Sequence, residues 1–336
     1  MTDQYMQNYV RPKGEPRVAF VSRWYYIWPA CGELAHAYRE WATTMVLPFP
    51  IKEKGVPFQK TYEDMITYFD PQLLHLGPTY YGSNYISYDF LKRFKDAKPY
   101  RKIIATHAET TVKGNRMRTF TELPKLVDIV YTCSPSLVRT IKKASGCDNV
   151  RFLPTAVDHE AYHPVNVKKQ FDLLFLGYPG GAKKSRDKVI VQLDRDFADL
   201  WVGGAWWEPY NLRHTFPGAF RSHFNEWNSR ARIGLCLIPD EHKTLEQYYT
   251  YRLTNTMATQ TFAMTSYTPG LEKLFTRKVH LDWYETYDEL VALLKYWLSH
   301  DKEREQVARQ GREHVLKHFT LKQQTRQFLM DVGITV

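Results

Sequence analysis

No apolar run in this sequence approaches the roughly 18 to 20 residues that cross a bilayer. The first residues, Met1 to Arg11, are polar and hold no signal-peptide core. Cytoplasmic residence, in a host cytoplasm if the source is viral, is the default expectation. Cysteine is scarce: Cys31, Cys133, Cys147 and Cys236 are far apart and form no C-x-x-C pair. That excludes a disulfide framework and reads as reduced thiols packed as small apolar groups. Asp240, Glu241 and His242 are consecutive, so they converge poorly on one ion. No metal site is expected. No G-K-[ST] follows a glycine-rich stretch, which excludes a P-loop. There is no low-complexity tract and no short repeat of the solenoid kind. Acidic residues are outnumbered by basic ones, 36 against 46, leaving a net charge of +10.

What is present fits a globular protein of two domains. A chain of 336 residues with 43% hydrophobic and 24% charged content can bury a core in each half. Short apolar runs read as strands at Arg17–Ser22, Thr44–Pro48, Leu73–Gly77, Lys102–His107, Asp128–Ser134 and Val150–Pro154. Helical spacing separates them. The plan then restarts, with strands expected at Asp172–Gly177, Ala198–Gly203, Ile233–Ile238, Thr261–Thr265 and Val279–Trp283. Three helices close the chain, near Tyr287–Leu298, Asp301–Lys317 and Leu321–Asp331. Regular strand and helix alternation implies parallel, doubly wound sheets. The segment Pro154 to Pro164 is bounded by prolines and marks the hinge between the halves. The expected division is 1–160, 161–320, and a last helix from 321 to 336 that returns to the first domain, because Phe328 and Leu329 need a surface to cover.

Several residues carry chemistry by type and place. Gly177-Tyr-Pro-Gly-Gly181 follows a strand and can bring backbone N–H groups to a phosphate; Gly177, Gly180 and Gly181 are its glycines. Lys183, Lys184 and Arg186 lie just downstream. The same loop also reads as a simple turn beside solvated bases. His107 ends a strand, where open α/β sheets bind ligands, and Glu109 follows as a candidate general base. Between Lys92 and Arg118 nine basic residues face only Asp96 and Glu109, a local balance of +7. That patch, with Lys113, Arg116 and Arg118 at its end, attracts polyanions or an anionic membrane surface, or is a solvated helix face. Trp24 lies in an aromatic loop on the same half. Trp206-Trp207 reads as a ring-stacking pair or as core.

The string Pro154-Thr-Ala-Val-Asp158-His-Glu-Ala-Tyr162-His-Pro164 resembles the P-x-G-V-D-x-x-x-F-x-P junction of GT-B glycosyltransferases, with Ala156 for Gly and Tyr162 for Phe. Tyr251-Arg-Leu-Thr-Asn255, Pro269 to Phe275, Tyr287 to Leu290 and His318 to Thr320 resemble the CgeB-like, group 1 branch of these enzymes. The resemblance covers roughly residues 150 to 325. It implies two Rossmann-like domains with a cleft between them, and a nucleotide-sugar co-substrate, a UDP-sugar, with no bound cofactor. It implies that Arg252 faces the donor diphosphate and that Asn255, where the pattern has Glu, meets the ribose. Gln247, eight residues earlier, stands where related retaining enzymes have another Glu. Both carboxylates are thus replaced by amides. Arg252, His107 and Glu109 are the catalytic candidates. Arginine and lysine would stand in for the metal ion that other glycosyltransferases use.

Three functions are compatible. The reading placed first is transfer to a hydroxymethylated base in viral DNA, which matches the basic first half. The second is transfer to a cell-surface, spore or secondary-metabolite acceptor. The third is a non-catalytic binder of nucleic acid or nucleotide sugar, which the two amide replacements keep open. The oligomeric state is not encoded in any of these features.

Overall fold

The computed structural model describes residues 15–22, 29–48, 58–77, 86–107, 116–179, 185–218 and 222–336. The chain forms two compact units. Unit 1 takes the described residues up to Thr132, then 140–151 and 324–336; unit 2 takes 133–139 and 152–323.

Unit 1 is built on β1 (Arg17–Ser22), β2 (Thr43–Pro48), β3 (Leu73–Leu76), β4 (Lys102–His107), β5 (Ile129–Thr132) and β6 (Val150–Phe152). Helices α1 (Pro29–Tyr38), α2 (Phe58–Phe69), α3 (Tyr88–Ala97), α4 (Arg116–Leu126) and α5 (Pro135–Ser145) alternate with them. The sheet order is β2-β1-β3-β4-β5-β6, and β1 pairs in parallel with both β2 and β3. Strands buried on both faces need no polar alternation, which is why they read as continuous apolar runs. All four residues of β3 and of β5 are buried.

Unit 2 contains β7 (Phe171–Leu176), α6 (Ser185–Asp196), β8 (Leu200–Gly203), β9 (Thr215–Phe216), α7 (Ser222–Arg230) and β10 (Ala231–Cys236). It continues with α8 (Tyr251–Ala258), β11 (Phe262–Ser266), β12 (Asp282–Tyr284), α9 (Tyr287–Ser299) and α10 (Asp301–His318). Its sheet runs β12-β11-β10-β7-β8-β9. Counted within the unit that is 6-5-4-1-2-3, the doubly wound order, with a topological switch point between β7 and β10. Side-chain alternation along β7 feeds two cores: Leu174 and Leu176 join one, Leu173 and Phe175 the other. The last strand lies later than expected, because Arg277 bridges to Leu281 and the chain turns at Lys278 with φ +61 before Asp282. The buried carboxylate of Asp282 accepts from Arg277 Nε at 2.7 Å and from Trp297 Nε1 at 2.8 Å, which fixes that strand against α9.

The hinge string is rigidly held within unit 2. Val157 pairs in parallel with Thr320; its N–H donates to Phe319 O at 2.9 Å and its carbonyl accepts from Leu321 N at 2.9 Å. Asp158 Oδ1 accepts from the N–H groups of Glu160 and Ala161, an Asx turn that starts the reversal. Tyr162 is 4% exposed and packs edge-on against Phe224.

The chain then passes into α11 (Leu321–Asp331), whose residues from 324 onward belong to unit 1. Phe328 is fully buried against Tyr131, His75 and Tyr38. Asp331 accepts from Tyr131 Oη at 2.5 Å and pairs with Arg151 at 3.0 Å.

Below Phe328 lies a buried relay. Tyr38 Oη meets His75 Nδ1 at 2.8 Å, and His75 Nε2 meets Thr106 Oγ1 at 3.1 Å. Burial pushes the His75 pKa down to about 3. The folded value is therefore below the unfolded one, near 6.5. Between these two values the unfolded chain holds one more proton than the folded chain, so stability falls as pH drops through that window. The expected slope from this residue is about 1.4 kcal/mol per pH unit below pH 6.5. Urea unfolding at several pH values checks it: His75→Gln lowers overall stability and flattens the acid slope by about one proton.

Candidate active site

The switch point of unit 2 places a cation where two strands end. Arg252 is the second residue of α8, behind the N-cap residue Thr250. Its Nε donates to Leu176 O at the end of β7, and its Nη1 donates to Leu237 O, just past β10, at 3.4 Å. Its guanidinium lies over the Phe175 ring, 4.6 Å from the centroid. Gly177 makes this approach possible, because a Cβ there would collide with Arg252 Nη2. Gly177 is held in turn: its N–H donates to Gly203 O at 2.8 Å, and its carbonyl accepts from Trp207 Nε1 at 2.7 Å. Burial, then the charge of Arg186, push the Arg252 pKa down to about 10, so it stays charged at neutral pH.

Arg186 is the second cation. It begins α6, and burial lowers its pKa too. Its Nε is buried without a partner. Two desolvated arginines that repel one another at the start of two helices are an arrangement that an anion relieves. Thr250 Oγ1 and Asn255 Oδ1 are also buried and unpartnered, and Asn255 is 8% exposed. Asn255 stands one turn beyond Arg252 on the same helix. Gln247 precedes that helix in a left-handed turn, φ +53, with its N–H on Pro269 O at 2.8 Å and its side chain against Gly270. Gly180, Gly181, Lys183 and Lys184 lie outside the described residues. Sequence alone favours those lysines over Arg186 as phosphate ligands; the signal that points to Arg186 is its place at the start of a helix.

In unit 1, His107 ends β4 beside its register partner Thr132 on β5. Both ring nitrogens of His107 and the Thr132 hydroxyl are buried and unpartnered. The His107 ring lies 5.2 Å from that of Phe120, and burial pushes its pKa down to about 4. It is therefore neutral at pH 7 and suited to hydrogen-bonding a hydroxyl rather than to storing a proton. Glu109 lies outside the described residues.

The basic stretch is less free than its sequence balance of +7 suggests. Arg101 is 7% exposed and pairs with Asp70 at 2.7 Å, and Lys98 reaches the same carboxylate at 2.7 Å. Burial raises the Asp70 pKa, but hydrogen bonds from Lys98 and Arg101, with their charges, outweigh it and hold the carboxyl at about 2. Lys95 pairs with Asp128 and Arg93 with Glu63. Those acids come from outside the stretch, so counting charge along the chain misses them. Lys113 and Trp24 lie outside the described residues. Arg116 and Arg118 start α4, and their side chains are likewise outside them. Trp207 is core, 1% exposed, whereas Trp206 is 67% exposed. Among the described residues no three His, Cys, Asp or Glu groups are placed to hold a metal ion. One D-x-D string does occur, Asp194-Arg-Asp196. Its carboxylates are taken up by Arg213 N at 3.2 Å and Tyr287 Oη at 2.6 Å. No described helix is long and apolar enough to cross a membrane.

Comparison with known proteins bears on the fold. Residues 186–330 match a family model described as glycosyl transferase-like. A search of curated proteins by sequence finds no match. Among solved structures, sucrose-phosphate synthase of Thermosynechococcus elongatus superposes with a TM-score of 0.71 at 14% identity, covering 95% of this chain and 99% of that one. HepE of Anabaena, in complex with UDP and glucose, gives 0.68 at 11% identity over 95% and 100%. An alpha-glucosyltransferase in complex with UDP-glucose and DNA containing an abasic site gives 0.69 at 12% identity over 95% and 100%. The two parallel six-stranded sheets and these shared folds give the chain the two-unit α/β architecture of the GT-B fold, and its residues 186–330 carry the glycosyl transferase-like match.

Proposed function

We propose that the chain transfers a sugar from a UDP-sugar to an acceptor hydroxyl without a metal ion, and that the acceptor is a hydroxymethylated base in viral DNA. The observation that carries the donor half is the Arg252–Arg186 pair at the switch point of unit 2. A diphosphate placed there meets two charge-assisted donors and the start of α8. As the sugar bond breaks, negative charge grows on the leaving diphosphate, and Arg252 is already in place to stabilise it. The Asn255 amide oxygen accepts from a ribose hydroxyl. Gly177, Gly180, Gly181, Lys183 and Lys184 line the phosphate side, and Gln247 contacts the sugar. In this reading residues 1–160 serve the acceptor and 161–320 the donor. His107 holds a hydroxyl near the reacting centre, and Glu109 removes the acceptor proton. The UDP and UDP-glucose complexes among the structural relatives support the choice of donor.

The DNA half rests on the net charge of +10 and on the DNA-bound relative. Lys113, Arg116, Arg118 and Trp24 are the residues proposed to touch it. A cell-surface, spore or secondary-metabolite acceptor is the second reading, favoured by the ion pairs that engage Arg93, Lys95, Lys98 and Arg101. Incubation with UDP-sugars and with unmodified or hydroxymethylated DNA, read by nucleoside mass spectrometry, tests the two together. A mass shift confined to hydroxymethylated DNA supports the first reading; hydrolysis of donor without DNA product leaves the second.

Two variants probe the donor cradle. Arg252→Ala is expected to lose about 2 to 4 kcal/mol of transition-state stabilisation, the scale of one oxyanion donor. Gly177→Ala should mimic it by displacing the guanidinium while every charge remains. Normal transfer kinetics in both would remove Arg252 from the reaction. On the acceptor side, neutralising Lys113, Arg116 and Arg118 together should raise the KM for DNA and spare the KM for the UDP-sugar. Every DNA phosphate that thereby goes without its cation should flatten the salt slope of duplex binding by about 0.9. A loss on DNA that is equal at low and high salt would count against nucleic acid as the acceptor.

A further inference from the structure

A third protonatable group stands beside the two arginines. The chain leaves β10 and makes a single turn at Asp240, Glu241 and His242. Backbone bonds set this turn: His242 N donates to Pro239 O at 2.9 Å, and His242 O accepts from Leu245 N at 3.0 Å. The His242 imidazole meets the Tyr248 ring edge-on, with centroids 5.4 Å apart and planes at 69°. Tyr248 is buried, and its phenol acts electrostatically on both Arg186 and Arg252. The imidazole therefore lies on the same wall as the guanidinium pair, next to the strand end where Arg252 Nη1 meets Leu237 O.

Charged groups surround this imidazole on each element packed round it. Its own turn carries Glu241, and also Asp240, which pairs with Lys243 at 2.8 Å. From the start of α6 comes Arg186, beside Asp187, whose carboxylate accepts from Tyr210 Oη. Tyr248 lies on the approach to α8, with Arg252 within its reach. Tyr284 of β12 is within electrostatic reach of Asp240. Burial pushes the His242 pKa down, Glu241 pulls it up, and Arg186 pushes it down again. With no anion bound, the imidazole is therefore neutral at pH 7. A diphosphate on Arg186 and Arg252 changes the balance twice over. It attracts an imidazolium, and it cancels the repulsion that Arg186 exerts. The His242 pKa then rises, and the protonated ring gains a charge-assisted hydrogen bond to give.

We infer that His242 is a third cation of the donor site, which takes up a proton as the diphosphate binds and hydrogen-bonds a phosphate oxygen. The inference rests on the UDP-sugar reading above, and its test separates the two. UDP-glucose is the probe, because neither of its phosphates titrates near neutrality, unlike the terminal phosphate of UDP. The full chain is titrated calorimetrically from about pH 5 to pH 8, in pairs of buffers that differ in ionisation enthalpy. Protonated His242 binds the anion more tightly. Affinity is therefore highest below the pKa of the free site, falls as pH rises through the pKa of the complex, and levels off above it. A rise of one unit on binding makes the total fall about tenfold. Within that window the complex should draw a fraction of a proton from the buffer. His242→Gln should bind at the weaker, high-pH level throughout and draw no proton. His242→Arg should bind at the tighter level throughout. A merely structural role would instead weaken both variants and leave the pH slope in place, which overturns the inference, as does a wild-type chain that binds UDP-glucose without a slope. Arg252→Ala should weaken UDP-glucose at every pH. If it does so and the wild type shows no slope, His242 alone falls. If it has no effect, or if the wild-type chain does not bind UDP-glucose, the donor reading falls and the inference about His242 falls with it.

Discussion

A desolvated guanidinium tied to two strand ends is the constraint on which the second unit depends. Carbonyl groups at the C-terminal ends of parallel strands point out of the sheet with no further strand residue to receive them. Arg252 accepts that role for β7 and β10 at once, and the cation is partly compensated by two backbone dipoles and the face of Phe175. Everything around it follows from the space it needs. Gly177 has no Cβ, Gly204 takes a backbone shape that other residues avoid, and Trp207 gives up its indole N–H to hold the turn. Backbone carbonyls leave the cation with net positive charge, which is what distinguishes this arginine from one in a structural ion pair such as Arg277 with Asp282.

The parallel strands were legible because burial on both faces writes them as apolar runs of four to six residues. The strand that escaped notice, β9, has only Thr215 and Phe216 and carries no pattern to find. Arg252 was legible through the family string around it, and the structure adds how it is held. The roles of Trp206 and Trp207 could not be separated from sequence: adjacent residues differ in burial only because φ turns positive between two glycine-shaped loops. Charge was the least legible property. Asp70 lies far along the chain from Lys98 and Arg101 yet pairs with both, since strand order rather than sequence distance decides which side chains meet.

The junction string shows how a sequence signature can be mostly mechanical. Val157 supplies a bridge to Thr320, Asp158 a turn, and Tyr162 a plug against Phe224. Ala156 is 1% exposed, and its position tolerates the methyl that replaces the glycine of the related pattern. None of these side chains carries chemistry. They fix where the chain re-enters the second unit and where, much later, it leaves it.

That late exit has a consequence for synthesis on the ribosome. Phe328, fully buried among Tyr38, His75 and Tyr131, completes a core whose other members were translated hundreds of residues earlier. The nascent first unit must wait with that apolar socket open while the whole second unit emerges. The usual order, in which the N-terminal domain finishes first, is thereby inverted. The second unit is the one able to close before α11 emerges, and that helix then acts as the latch. A stalled or prematurely terminated chain would therefore present its defect in the half that was made first.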